Sequence, residues 1–233
     1  MEGAVVGRRG GLLRKMLPAR LNRVAELLVL LLVLRWWLLQ RLLLWSVWGR
    51  RIVLLLLVRV LDLLRQAGIA AQGDAERPFD HGAWVVLMHL FPQADLPVVQ
   101  VALPAGAGPA EVHAMGAALR GLRAQGVLVV GSGSMTHNLR EFFGGGREPA
   151  PYVVEFGRWI EAAVERGDLP ALLDYRRRAP HAQRAHPTED HFLPLFFALG
   201  AAGEGWGAEY LSREVMYGML AMDAFALHAP AAA

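Results

Sequence analysis

The stretch that decides the fold is residues 97–138, PVVQVALPAGAGPAEVHAMGAALRGLRAQGVLVVGSGSMTHN. Pro97–Leu103 is a short valine-rich run bounded by prolines, and such a run predicts a buried β-strand. Pro109–Gln125 has apolar residues at three- and four-residue spacing behind a proline, which predicts an α-helix. Gly126–Val130 predicts a second strand. This order is typical of an α/β fold, with a central, largely parallel or mixed sheet flanked by helices.

A glycine- and serine-rich loop, Gly131–Asn138, follows the second predicted strand. Ligands of such sheets bind beyond the carboxyl ends of the strands, and small residues let the backbone approach a ligand closely. His137 is therefore a candidate site residue. The alternative is a loop histidine that hydrogen-bonds to the backbone.

Outside this stretch the apolar spacing predicts further helices. They cover Leu61–Ala67, Ala83–Phe91, Val154–Arg166, Pro170–Tyr175 and Glu189–Leu199.

The first histidine of the chain is His81, so the first 80 residues offer no imidazole. Imidazole is the commonest metal ligand and the side chain most easily poised as a base near neutral pH. Asp80 precedes His81 and suits a helix N-cap, which is the structural alternative to a role for His81 in a pocket.

A third motif, HPTEDH, runs from His186 to His191. These two histidines are five residues apart with Pro187 between them, so they do not share one helical face and are not a local chelating pair. His191 opens a very apolar run and needs a polar partner there. Glu189 is a candidate ligand, or a carboxylate that orients an imidazole by hydrogen bonding to it.

Charge is divided unevenly along the 233 residues, whose formal net charge is +3. Residues 1–60 hold 11 basic and two acidic side chains, whereas the rest holds 13 basic and 19 acidic ones. A basic segment on a mildly acidic domain suggests two pieces of different character. We place the boundary between a leucine-rich helical segment, 1–57, and a globular domain, 58–233.

The chain has no cysteine, so any metal must be bound through His, Asp or Glu. No phosphate-binding loop, GxSxG or HExxH motif occurs. The basic segment carries no nucleic-acid motif, and we expect no nucleic-acid partner. The absence of disulfides suits a reducing compartment, so we expect a cytoplasmic protein.

Three interpretations stay open for the leucine-rich residues 24–58. The segment is a membrane anchor or surface helix, a buried or partner-bound helix, or a stretch read from a GC-rich gene in the wrong frame. A spanning helix needs about 20 mostly apolar residues, whereas Arg35 and Arg41 interrupt this one. Membrane association through residues 24–58 is thus the alternative to a cytoplasmic location.

Five motifs in order over about residues 58–228 resemble the class III extradiol ring-cleaving dioxygenases, in the DOPA 4,5-dioxygenase-like branch. They are FDHGAW at 79–84, FPQADLPVVQ at 91–100, GSGSMTHNL at 131–139, HPTEDHFLPL at 186–195 and YGMLAMD at 217–223.

The resemblance implies a non-haem Fe(II) or Zn(II) site that cleaves a catechol with O₂. By this similarity His191 matches a metal-ligand position, and His137 matches a histidine assigned either to the metal or to the catalytic base. His81 would line the pocket as a further catalytic residue, and Glu189 would support a ligand from behind.

One departure from the family pattern affects the function. Members begin with two strands that end in Ser-His-Gly-Ser-Pro and Ala-His-Trp, and both histidines bind the metal. Neither motif occurs in this sequence. We therefore expect weak metal affinity and impaired turnover for this chain, with a non-catalytic, membrane-associated or partner-binding remnant as the alternative function.

Overall fold

A computed structural model gives the architecture and describes residues 50–144, 146 and 148–228. The chain divides between Leu55 and Leu56 into two units. Only residues 50–55 of the first unit are described, so the predictions for residues 1–49 lie outside the described residues. Within the described residues, no helix combines the length and apolarity needed to cross a membrane.

Helices dominate the described chain, and proline begins three of them, where its missing N–H leaves no hydrogen bond unmade. The α-helices are α1 Arg50–Gln66, α2 His81–Leu90, α3 Pro109–Leu119, α4 Pro151–Glu165, α5 Leu169–Leu173, α6 Tyr175–Arg178, α7 Ala182–Ala185 and α8 Pro194–Ala202, with 3₁₀ helices at Arg120–Gln125 and Leu139–Gly144.

The last part of the described chain, residues 207–228, forms two small antiparallel sheets. Strand β1, Gly207–Ser212, pairs with β4, Ala224–His228, with a register shift between Tyr210 and Ser212. Strand β2, Val215–Met216, pairs with β3, Leu220–Ala221. This mixture of helices and small sheets fits the α/β class.

The strands predicted at Pro97–Leu103 and Gly126–Val130 are wrong for the described structure, and so is a parallel pairing. Strand identity requires a hydrogen-bonded neighbour. No backbone hydrogen bond joins residues 97–103 or 128–130 to another residue of the described chain. Valine-rich patterning reports which side chains are buried, and it carries no information on whether a partner strand lies alongside.

Helices α3 and α8 cross at unusually close range through two glycines. A Cβ added to Gly116 would clash with the carbonyl oxygen of Phe197, and one added to Gly200 would clash with that of His113. This crossing fixes the position of α8, whose first turn follows His191.

The core beside α8 is aromatic. Phe192 lies among four rings at centroid distances between 4.6 and 5.5 Å. The four are Phe156, Tyr175, His186 and Phe196. Because Phe192 is the neighbour of His191, this packing anchors the turn that carries His191.

Candidate active site

The loop predicted to carry the site lies flat against the turn that precedes α8, and glycine makes this possible. A Cβ on Gly131 would clash with the carbonyl oxygen of Pro194, and one on Gly133 with that of His191. The Ser134 N–H donates to the His191 carbonyl at 2.8 Å. The two histidine motifs therefore meet because the loop has no side chain where the backbones touch.

The same loop is fixed on its other side by β3. Thr136 is fully buried, and its hydroxyl donates to the Met219 carbonyl and accepts from the Ala221 N–H, both at 2.8 Å. The His137 N–H donates to the Ala185 carbonyl at 2.8 Å. His137 thus projects from a backbone held on both sides.

His137 and His191 are brought together as a stacked pair, with ring centroids 3.6 Å apart and planes 9° from parallel. Burial, followed by the neighbouring His191 ring, lowers the pKa of His137 below its ordinary value. His137 is therefore neutral at physiological pH and can accept a proton.

Asp190 orients His191, a contact that the sequence analysis missed. The Asp190 Oδ2 lies 2.7 Å from His191 Nδ1. A hydrogen bond from Thr188 lowers the pKa of Asp190, so this carboxyl is ionised and accepts a hydrogen bond from His191 Nδ1–H. In the neutral tautomer with its proton on Nδ1, His191 presents the lone pair of Nε2 to a ligand.

Glu189 lies in a different contact from the one predicted. Its Oε1 accepts a hydrogen bond of 2.7 Å from the hydroxyl of fully buried Tyr175. Burial, with Glu189 as the next cause, raises the pKa of Tyr175. Glu189 therefore ties the HPTEDH turn to Tyr175, and a metal-related role for it stays a prediction.

His186 is a core residue next to the pair. Its Nε2 lies 2.8 Å from the Met135 carbonyl, and its Nδ1 has no partner in the described part of the chain. Burial lowers the pKa of His186 to about 4. The ring is therefore neutral, with Nε2–H donating to Met135.

His81 begins α2, and the N-cap predicted for Asp80 is confirmed because its carboxylate accepts from the Ala83 N–H at 2.9 Å. The His81 ring meets Trp84 edge-on at 5.4 Å. Ser132 ties this helix to the site loop by donating to the Gly82 carbonyl at 2.6 Å. The contribution of His81 to a pocket stays a prediction.

The described residues alone do not complete a metal site. They contain no group of three or more His, Cys, Asp or Glu side chains that could hold an ion, whereas a catalytic zinc or non-haem iron site usually has three protein ligands. The imidazole lone pairs lie in ring planes that are nearly parallel, so they do not converge on one point. His137 and His191 would share an ion only after one ring turns.

In this α/β fold, two stacked imidazoles with a carboxylate beside one of them form a candidate enzyme site. The family described as the catalytic LigB subunit of aromatic ring-opening dioxygenase matches residues 56–223, and the chain belongs to this family.

Named relatives agree with this family assignment. The chain is 38% identical over 159 residues to a 4,5-DOPA dioxygenase extradiol of Beta vulgaris, covering 66% of this chain and 58% of the relative. It is 38% identical over 167 residues to the protein of the same name from Portulaca grandiflora, covering 70% and 60%. The chain therefore spans less than two thirds of each relative.

A solved structure is similar as well. An uncharacterized protein of Escherichia coli K12 matches with a TM-score of 0.63 at 30% identity, covering 72% of this chain and 69% of that one.

Proposed function

We propose that this chain acts as an extradiol ring-opening dioxygenase, a non-haem, metal-dependent enzyme that inserts O₂ into a catechol such as DOPA. The observation that carries the proposal is the stacking of His137 on His191 at 3.6 Å, with Asp190 behind His191. Membership of the LigB family and the names of the plant relatives support the same reaction class.

His191 is a metal ligand in this proposal, and His137 is either a second ligand or the base that deprotonates the catechol. His191 would hold Fe(II) or Zn(II) through Nε2, with a proton on Nδ1 donated to Asp190 at 2.7 Å. A metal held there would supply the Lewis-acid chemistry that the reaction of catechol with O₂ needs. As the base, His137, whose lowered pKa keeps it neutral, accepts a catechol proton. His81 lines the substrate side at the start of α2.

Activity is impaired in this proposal, because the described residues supply two imidazoles where such a site usually has three protein ligands. The alternative function is a non-catalytic, partner-binding remnant of the fold. It is favoured by α2, an apolar helix with no buried residue.

A turnover assay tests the proposal. The purified chain is loaded with Fe(II) without oxygen, mixed with DOPA and then exposed to O₂, and the ring-opened product is followed by absorbance and mass. We expect slow turnover that His137→Ala abolishes, while His228→Ala, at an exposed histidine paired with Glu209, leaves it unchanged. Turnover that is insensitive to His137→Ala, or absent at every Fe(II) level, contradicts the proposal.

A further inference from the structure

His186 is a fully buried histidine that the proposed mechanism does not use. Its ring lies among aromatic side chains, with its centroid 4.8 Å from that of Phe192 and 5.7 Å from that of Phe156. An apolar residue would fill this place without the cost of burying two ring nitrogens. The hydrogen bond that Nε2–H donates to the Met135 carbonyl at 2.8 Å therefore distinguishes His186 from a residue that only fills the core.

That hydrogen bond joins the two segments that carry the stacked imidazoles. Met135 lies two residues before His137, and His186 opens the turn that ends at His191. The Met135 N–H donates to the Ala221 carbonyl at 3.0 Å, so the peptide groups on both sides of Met135 are held. A displacement of the Met135 carbonyl would therefore carry His137 with it.

Two backbone hydrogen bonds run alongside this link. The Ser134 N–H donates to the His191 carbonyl at 2.8 Å, and the His137 N–H donates to the backbone of Ala185 at the same distance. Such bonds are open to any residue with a backbone N–H. The link from His186 depends on the identity of the side chain, so a substitution can remove it while the backbone bonds stay possible.

Arg176 holds the backbone of His186. Its Nη1 donates to the His186 carbonyl and, at 3.3 Å, to the Ala182 carbonyl. These carbonyls belong to α7 and its C-cap, where arginine side chains bind favourably. The neighbouring Arg177 instead pairs with Asp174 at 2.7 and 2.9 Å, and its side chain is 82% exposed. The two arginines therefore have different structural roles.

We propose that His186 is a positioning residue, which sets the stacking of His137 on His191. It fixes the Met135 carbonyl through Nε2–H, while Arg176 fixes its own backbone. The geometry it maintains is the centroid distance of 3.6 Å and the angle of 9° between the two ring planes. The consequence for catalysis rests on the proposed function: a shift of His137 by about 1 Å would lower kcat by about 10²-fold, because proton transfer depends on its position.

NMR of the full 233-residue chain, without metal or substrate, tests the proposal. Rings stacked at 3.6 Å give a nuclear Overhauser cross-peak between the ring protons of His137 and His191. His186→Gln places an amide N–H close to the position of Nε2, whereas His186→Met has a similar length and no donor. We expect the glutamine variant to keep the cross-peak and the methionine variant to lose most of its intensity, with circular dichroism unchanged in both.

Further variants separate positioning from packing. Arg176→Met should weaken the cross-peak, and Arg177→Met should leave it at native intensity. Ile160→Val, at a fully buried position of the same core, should lower the urea midpoint of unfolding and leave the cross-peak unchanged. If His186 only filled the core, its methionine variant would behave as Ile160→Val does.

Three results overturn the proposal. They are a native cross-peak in the folded methionine variant, equal loss of the cross-peak in the glutamine variant, and a native chain whose His186 carries its proton on Nδ1. The last is read from the ¹⁵N chemical shifts of the native chain, so it applies even where a variant fails to fold. A chain that lacks DOPA turnover but shows this dependence on His186 would refute the proposed function and leave the positioning role standing.

Discussion

The orientation of His191 depends on one neighbouring carboxylate, Asp190, at 2.7 Å from Nδ1. We predict that Asp190→Ala releases the ring, so that the proton distributes between Nδ1 and Nε2. The ¹⁵N chemical shifts of His191 measure this directly: the native chain should show a protonated Nδ1 and an unprotonated Nε2, whereas the variant should show averaged shifts.

Asp190→Asn is the matched control because its amide oxygen still accepts a hydrogen bond from Nδ1–H. It should keep the native pattern of shifts. A native chain with the proton on Nε2, or an alanine variant with unchanged shifts, would show that Asp190 does not orient this ring.

Because His186 is buried, we predict that the free energy of unfolding decreases in acid. Its folded pKa of about 4 lies below the ordinary value of 6.5, so as pH falls the unfolded chain takes up the proton first. The stabilisation is complete above pH 6.5 and is lost progressively toward pH 4. From pH 7.5 to pH 5 the free energy of unfolding should fall by about 2 kcal/mol from this group.

Urea unfolding at both pH values measures the effect, with two variants for comparison. His186→Gln should show a smaller fall than the native chain, and His81→Gln, at an exposed histidine, should show the native fall. NMR titration gives an independent check, since His186 protons that shift between pH 7 and pH 6 would refute the lowered pKa even if a variant failed to fold.

At the scale of elements, the crossing of α3 and α8 predicts which glycines tolerate a methyl group. Gly116→Ala or Gly200→Ala places a Cβ against a backbone carbonyl that cannot rotate away. Each should lower the free energy of unfolding by about 1–3 kcal/mol or more, measured by urea denaturation.

Gly157 supplies the control for the crossing. It lies inside α4, and a Cβ there would meet open space. Gly157→Ala should therefore stabilise the chain by about 0.5–1 kcal/mol through helix propensity. Equal effects at Gly116 and Gly157 would show that the crossing is not close-packed.

Helices were predictable from the sequence because their hydrogen bonds form within one segment, and the apolar spacing and the proline that mark a helix lie in that same segment. The α3 prediction began correctly at Pro109, although its last turns, Arg120–Gln125, are 3₁₀. The predicted strands failed because pairing depends on a second segment. The short β2–β3 hairpin was missed. Its turn lies at Tyr217 and Gly218, with φ of 53° and 66°, and Gly218 is the sequence signal for such a turn.

The meeting of the histidine motifs was predictable only in part. Sequence patterns identified His137 and His191, but their contact depends on Gly131 and Gly133, whose role is to let two backbones touch. Asp190 was missed because neighbouring residues in a turn can point together or apart, and only the backbone conformation decides this.

At the scale of the whole molecule, the family assignment and the site lead to different expectations about function. The chain belongs to a family of ring-opening dioxygenases, but the described residues bring together only two imidazoles. Two donors bind a divalent metal far more weakly than the three that catalytic sites usually provide. Metal affinity therefore tests the central claim more directly than turnover does.

The decisive measurement is equilibrium dialysis of the purified 233-residue chain against Fe(II), without oxygen, and against Zn(II), with bound metal counted by elemental analysis. We predict weak, sub-stoichiometric binding that falls further in His191→Ala and is unchanged in His228→Ala. One tightly bound ion per chain, retained against a competing chelator, would contradict the claim that this chain supplies an incomplete dioxygenase site.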